Sequence, residues 1–154
     1  MKISMAFAVL FLCLITGGSL RAQTQSSTLP DYVDEPDSAH IVLIVLSEIW
    51  ADVREISGEV VKYNLKLYPE KELVSTRVSM PFLSNLPVLY VHSFANKADA
   101  MAYYRRLYKP KPDFMQMNIV ESVWVLSKGN LNTLLLEGSV KRYEPFFKEH
   151  YLSQ

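Results

Sequence analysis

The segment "HIVLIVL", His40 to Leu46, is an apolar run with no charged side chain. In an extended chain successive side chains point to opposite faces. Here both alternating sets, Ile41, Leu43, Val45 and Val42, Ile44, Leu46, are apolar and largely β-branched. Such a strand has no face that tolerates water, so it must be central in its sheet and covered on both sides.

The elements around it follow from hydrophobic spacing. From about Ala51 to Tyr68, Val53, Ile56, Val60, Tyr63 and Leu67 recur at helical intervals, while Arg54, Glu55, Glu59, Lys62 and Lys66 fall largely elsewhere. "LVSTRVSM", Leu73 to Met80, alternates as a half-exposed strand does. After "PFLSNLP" comes a further strand, "VLYVHSF", Val88 to Phe94. Asn96 followed by Asp99 predicts a helix start of the capping-box kind, with aspartate in the usual place of glutamate, for a second helix ending near Tyr108. A basic loop, "KPKPDFMQMN", then leads to a fourth strand, "VESVWVLS". This order predicts an α+β fold: a ferredoxin-like βαββαβ four-stranded antiparallel sheet with extra C-terminal helices.

Two helices on one face leave the other face of the first strand to be covered. In "SVKRYEPFFKEHYL", Tyr143, Phe146, Phe147 and Tyr151 share one face of a helix expected to begin near Ser139 and to kink or restart at Pro145. Burying a large apolar side chain contributes about 1.5–3 kcal/mol. Set against a usual domain stability of about 5–15 kcal/mol, four such rings belong in the core, and they are the expected cover.

The N-terminal region differs from the rest. Residues 1–22 combine Lys2, an apolar run from Met5 to Ile15 and small residues leading to Ala22, the layout of a cleaved secretory signal peptide. The run falls short of the roughly 20 apolar residues a membrane span needs, so the mature chain is expected to be periplasmic and without a transmembrane segment. Cys13 is the only cysteine, and the mature chain must therefore rely on a hydrophobic core. Residues 23–38, "QTQSSTLPDYVDEPDS", are expected to be a flexible acidic leader, with residues 39–154 forming the domain. Of 16 Lys and Arg, Lys2 and Arg21 precede Ser38; of 16 Asp and Glu, Asp31, Asp34, Glu35 and Asp37 do; the remainder carries 14 basic and 12 acidic residues. That balance lacks the clustered basic excess of a nucleic-acid binder, and none is expected as partner.

Catalytic and metal motifs are not found. His40, His92 and His150 lack the two-histidine helical spacing of a zinc protease. There is no G-x-S-x-G turn and no glycine-rich phosphate loop. The expectation is a non-enzyme with no cofactor and no metal. Contact with a partner is expected at three places. The hairpin tip carries Phe82, Leu83 and Leu86 where turns usually place polar residues. The crossover loop offers Lys109, Lys111, Phe114, Met115 and Met117. On the second helix Tyr104 is expected in the core, and Tyr103 beside Arg106 is the expected exposed aromatic.

"VHSFANKADAMAYYRRL" and "NLNTLLLEGSVKRYEPFFKEHYL", with "YNLKLY" as a shorter match, resemble the C-terminal domain of the periplasmic TPR-bearing lipoproteins of Bacteroidota associated with type IX secretion and gliding. The resemblance implies a non-catalytic assembly module of the cell envelope, with an envelope protein as partner. It does not extend to a TPR array or a lipidated cysteine, and "PFLSNLP" stands where the family pattern is polar. The element order is also similar to the SPOR domain, with Phe94 and Asn96 at a comparable strand-to-helix step. That similarity implies, as the alternative, a module binding peptidoglycan on an open sheet face.

Overall fold

The structure, a computed structural model, describes residues 29–47, 52–80, 83 and 86–153. The expected signal peptide therefore lies outside the described residues, as do Phe82 and residues 23–28 of the leader. Among the described residues, no helix is long and apolar enough to cross a membrane.

Four strands form one antiparallel sheet in the order β2-β3-β1-β4, the ferredoxin-like arrangement. They are β1 (His40–Leu46), β2 (Val74–Ser79), β3 (Pro87–Phe94) and β4 (Val120–Ser127). β1 is central, and all seven of its residues are buried, as its sequence requires. Leu43 stands opposite Tyr90 and Trp124, and Ile44 opposite Leu89 and Val123. Directly opposed residues share a face, so Tyr90 and Trp124 lie on one side of the sheet and Leu89 and Val123 on the other.

Helix α1 (Val53–Leu67) begins where the Asp52 carboxylate accepts from the Arg54 and Glu55 amides, and it buries Ile56, Val60 and Asn64. Arg77, opposite Leu89, lines one small hollow with Val53, Arg54 and Ser57, which places α1 on the Ile44 face. In α2 (Lys97–Tyr108) the Asn96 side chain accepts from the Asp99 amide at 2.9 Å. The Asp99 carboxylate bonds Lys71 Nζ at 2.9 Å. Near the end of β3, Ser93 adopts φ 85°, and an extra residue is accommodated opposite β1. This bulge brings the Phe94 ring to 5.1 Å from Tyr103 of α2.

Tyr103 is the first correction. It is fully buried at the α1–α2 contact, where its hydroxyl donates to Asn64 Oδ1 at 2.9 Å and its ring meets Tyr63 edge-on at 5.8 Å. Tyr104 is half-buried against Phe147. Two consecutive tyrosines are both covered because α2 packs against α1 on one flank and against the C-terminal tail on the other.

The short α3 (Asp113–Gln116) precedes β4, and α4 (Lys128–Glu137) follows it. Ser127 caps α4 at its start, accepting from the Asn130 amide, and Gly138 ends it with φ 67°, a left-handed conformation that glycine adopts without strain. The final helix, α5 (Tyr143–Phe147), starts four residues after the expected Ser139 and continues as a π-helical turn over Lys148–Leu152. Pro145 falls in its first turn, where the missing N–H has no intrahelical acceptor to lose, so the proline breaks no hydrogen bond of this helix.

Tyr143, Phe147 and Tyr151 are buried, and Phe146 packs on them half-covered. Their contacts run along the edge strand β4. The Tyr143 hydroxyl donates to the Val125 carbonyl at 2.5 Å. Phe147 meets Trp124 at 5.4 Å and Tyr104 at 5.8 Å. The tail thus joins the far sheet face, through Trp124, to α2.

His40 closes the end of this layer. Its Nδ1–H donates to the Ser38 carbonyl at 2.7 Å, which leaves Nε2 of the neutral ring to accept from the Tyr151 hydroxyl at 3.0 Å. Burial holds its pKa below the ordinary 6.5; the Ser38 carbonyl, Asp34 and Glu35 push it up, and Lys97 adds to the depression. The unfolded chain therefore takes up a proton near pH 6.5 that the folded chain refuses, and stability falls as pH drops below that value. Urea midpoints measured from about pH 7.5 to about 5.5 should decline, and His40→Gln should remove most of the decline in this window. A midpoint in the unmodified chain that stays flat over the same range contradicts the buried neutral imidazole.

Candidate functional site

Of the expected contact residues, the structure gathers three round one concavity. Arg106 of α2, and Lys111 and Phe114 of the crossover segment, line a cleft of about 370 Å³ with Glu59, Lys62, Tyr63 and Lys66 of α1. Helical spacing explains the α1 contribution, since residues three and four apart stand on one flank. The loop's own bonds shape the other wall. The Met115 amide donates to the Pro112 carbonyl, and Gln116 Nε2 donates to the Lys111 carbonyl, each at 2.9 Å.

The cleft has an aromatic floor and a cationic rim. Phe114 is buried, and its ring meets Tyr63 edge-on at 5.7 Å. Lys62, Lys66, Arg106 and Lys111 are exposed around it, against the carboxylates of Glu59 and Asp113. Lys62 is bonded to Glu59 at 2.7 Å, and Arg106 lies 6.0 Å from the Tyr68 ring centre. Among the described residues the buried Tyr63 hydroxyl has no hydrogen-bond partner, and burial pushes its pKa up to about 12.

The remaining expectations divide. Lys109 is exposed beside the cleft and Met117 is 56% exposed, but Met115, like Phe114, is buried. Both were expected as adaptable surface; α3 turns them inward against the core. Leu83 and Leu86 of the hairpin tip are half-buried and packed on the core, tied by a Leu86 amide to Leu83 carbonyl bond of 3.0 Å. Tyr103 reaches the cleft only through Tyr63. Sequence reasoning missed Glu59, Lys62, Tyr63 and Lys66 because a charged helix flank usually faces water; the tyrosine set between two lysines was the available signal.

A second correction concerns the leader. Residues 29–38, expected to be flexible, lie against the domain with Tyr32 on the tail rings, at 4.9 Å from Tyr143 and 5.7 Å from Phe146. Asp34 pairs with Lys97 at 2.9 Å, and Asp31 with Arg142 at 3.0 Å. Polar composition suggested disorder, whereas these carboxylates have distant cations to meet. His40 sits at Tyr151, His92 beside Tyr90, and His150 against Phe146.

Comparison of the chain with family models, with curated proteins and with solved structures found no match.

The two hydroxyls at the α1–α2 contact make opposite predictions. Tyr63→Phe removes an unpartnered buried group and should leave stability unchanged or raise it, by up to about 1 kcal/mol. Tyr103→Phe strips Asn64 of its partner and should cost about 1–3 kcal/mol. Chemical denaturation of the two variants reads this difference, and equal losses would contradict it.

Proposed function

We propose that this chain is an exported, non-catalytic protein-interaction module of the bacterial cell envelope, which holds an acidic segment of a partner protein in the cleft between α1 and the crossover loop. The observation that carries the reading is the rim itself: four cationic side chains surround an aromatic floor, with two carboxylates among them. Such a surface attracts carboxylates at its edge and takes an apolar or aromatic side chain at its centre. Because the rim is exposed, its charges act mainly on encounter rate and selectivity, and binding should weaken as salt rises.

Export rests on the signal-peptide layout of residues 1–22, and the envelope setting on the resemblance to the C-terminal domain of the Bacteroidota lipoproteins. An accessory role in a secretion or gliding assembly belongs to the same reading. One observation favours glycan binding as the alternative: Tyr90 and His92, with ring centres 5.3 Å apart, lie half-buried on the far face of β3 near exposed Thr76. Peptidoglycan would then be the partner.

Capture from envelope extract separates the two. The unmodified chain should retain a protein that Lys66→Glu plus Lys111→Glu loses, with recovery falling at higher salt. Identical recovery by both chains, or no protein recovered while denuded peptidoglycan retains both, would overturn the docking reading.

A further inference from the structure

The way residues 31–36 are held is that of a bound peptide. Asn130, only 2% exposed, makes two bonds to the main chain of one residue: the Val33 amide donates to its Oδ1 at 3.0 Å, and its Nδ2 donates to the Val33 carbonyl at 2.8 Å. These bonds are blind to the side chain, and Val33 itself is 56% exposed. Specificity lies on either side of it. The Tyr32 ring enters the tail's aromatic layer, and its hydroxyl donates to Glu137 Oε2 at 2.7 Å. Two residues on, Asp34 accepts from Lys97 Nζ; Lys97 is 5% exposed, and its ammonium also lies 4.6 Å from the Tyr151 ring centre.

The next position is shaped as well. Glu35 Oε2 accepts from Ser127 Oγ at 2.5 Å, at the first turn of α4, where the helix end favours negative charge. A Cβ at Gly129 would stand 2.6 Å from that oxygen, so the glycine admits the carboxylate. The Lys97 amide donates to the Pro36 carbonyl at 2.9 Å. Within Asp31–Pro36 only Tyr32 commits an aromatic ring to the core.

We propose that this groove is a recognition site for an extended acidic peptide of a partner protein, with tyrosine at the Tyr32 position, any residue next, and a carboxylate at the Asp34 position. The chain's own leader occupies it in cis. Charge complementarity selects that occupant, because a nearly buried Lys97 left without a carboxylate is costly. Any peptide arriving from another molecule competes with the resident segment, which joins β1 through a short turn and acts at an effective concentration of about millimolar. The surface is separate from the α1 cleft, so Lys66→Glu plus Lys111→Glu leaves it intact and the two readings fail independently.

The test loosens the resident segment and leaves the groove unchanged. Tyr32→Ala removes the ring, and Val33→Pro, at an exposed side chain, removes the amide that donates to Asn130. With folding verified by circular dichroism, a fluorescein-labelled peptide of residues 29–38 should bind either variant at least about tenfold more tightly than the unmodified chain. Replacing the peptide's tyrosine by alanine, or its first aspartate after the tyrosine by asparagine, should abolish the gain. Selection of random displayed peptides on the Val33→Pro chain should enrich tyrosine with a carboxylate two residues on. The proposal is overturned if the folded variants bind the peptide no more tightly, if a scrambled peptide binds equally, if selection shows no such carboxylate, or if the variants form concentration-dependent dimers.

Discussion

A strand that is apolar on both faces must be enclosed, and the enclosure here ends at the outer edge of β4. An edge strand presents main-chain groups that no neighbouring strand satisfies. Tyr143 answers this with its hydroxyl on the Val125 carbonyl, while Phe147 sits between Trp124 of β4 and Tyr104 of α2. One helix thus bonds the edge and packs against both layers. His40, at the start of β1, is joined to the same layer through Tyr151. The first strand and the last helix depend on each other.

That interdependence sets where recognition can occur. The tail rings are part of the core on one side and support Tyr32 on the other, so the groove for residues 31–36 is built on the element that closes the sheet. The α1 cleft is built differently: its floor, Tyr63 and Phe114, continues into Tyr103 and the α1–α2 contact, and its cations stand in water. The first surface reads a main chain and a buried charge. The second offers an exposed electrostatic rim.

Local physics made much of the fold legible. The apolar period placed β1, the Asn96 cap placed α2, and the ring spacing marked Tyr143, Phe146, Phe147 and Tyr151 as core. What escaped depends on partners far away in the chain. Tyr103 and Tyr104 are neighbours that pack on different elements, and a single helical stripe cannot describe a helix covered on two flanks. Pro145 is disruptive in a helix interior and harmless in a first turn, so its effect followed from a start site four residues later. Residues 29–38 look disordered by composition, yet Val33 finds Asn130 and Asp34 finds Lys97, separations of 97 and 63 residues that no local pattern reports. Of the crossover loop, Lys111 reaches the cleft rim as a contact, whereas Phe114 and Met115 turn inward.

The aromatic tail is an integral part of the sheet's closure. Native-state hydrogen exchange tests it most directly, because it gives the opening free energy of each segment separately. Amides of Phe147–Tyr151 should open with the same free energy and denaturant dependence as those of β1, in one global event. Tail amides that exchange through a low-energy opening, while β1 and β4 stay protected, would contradict it.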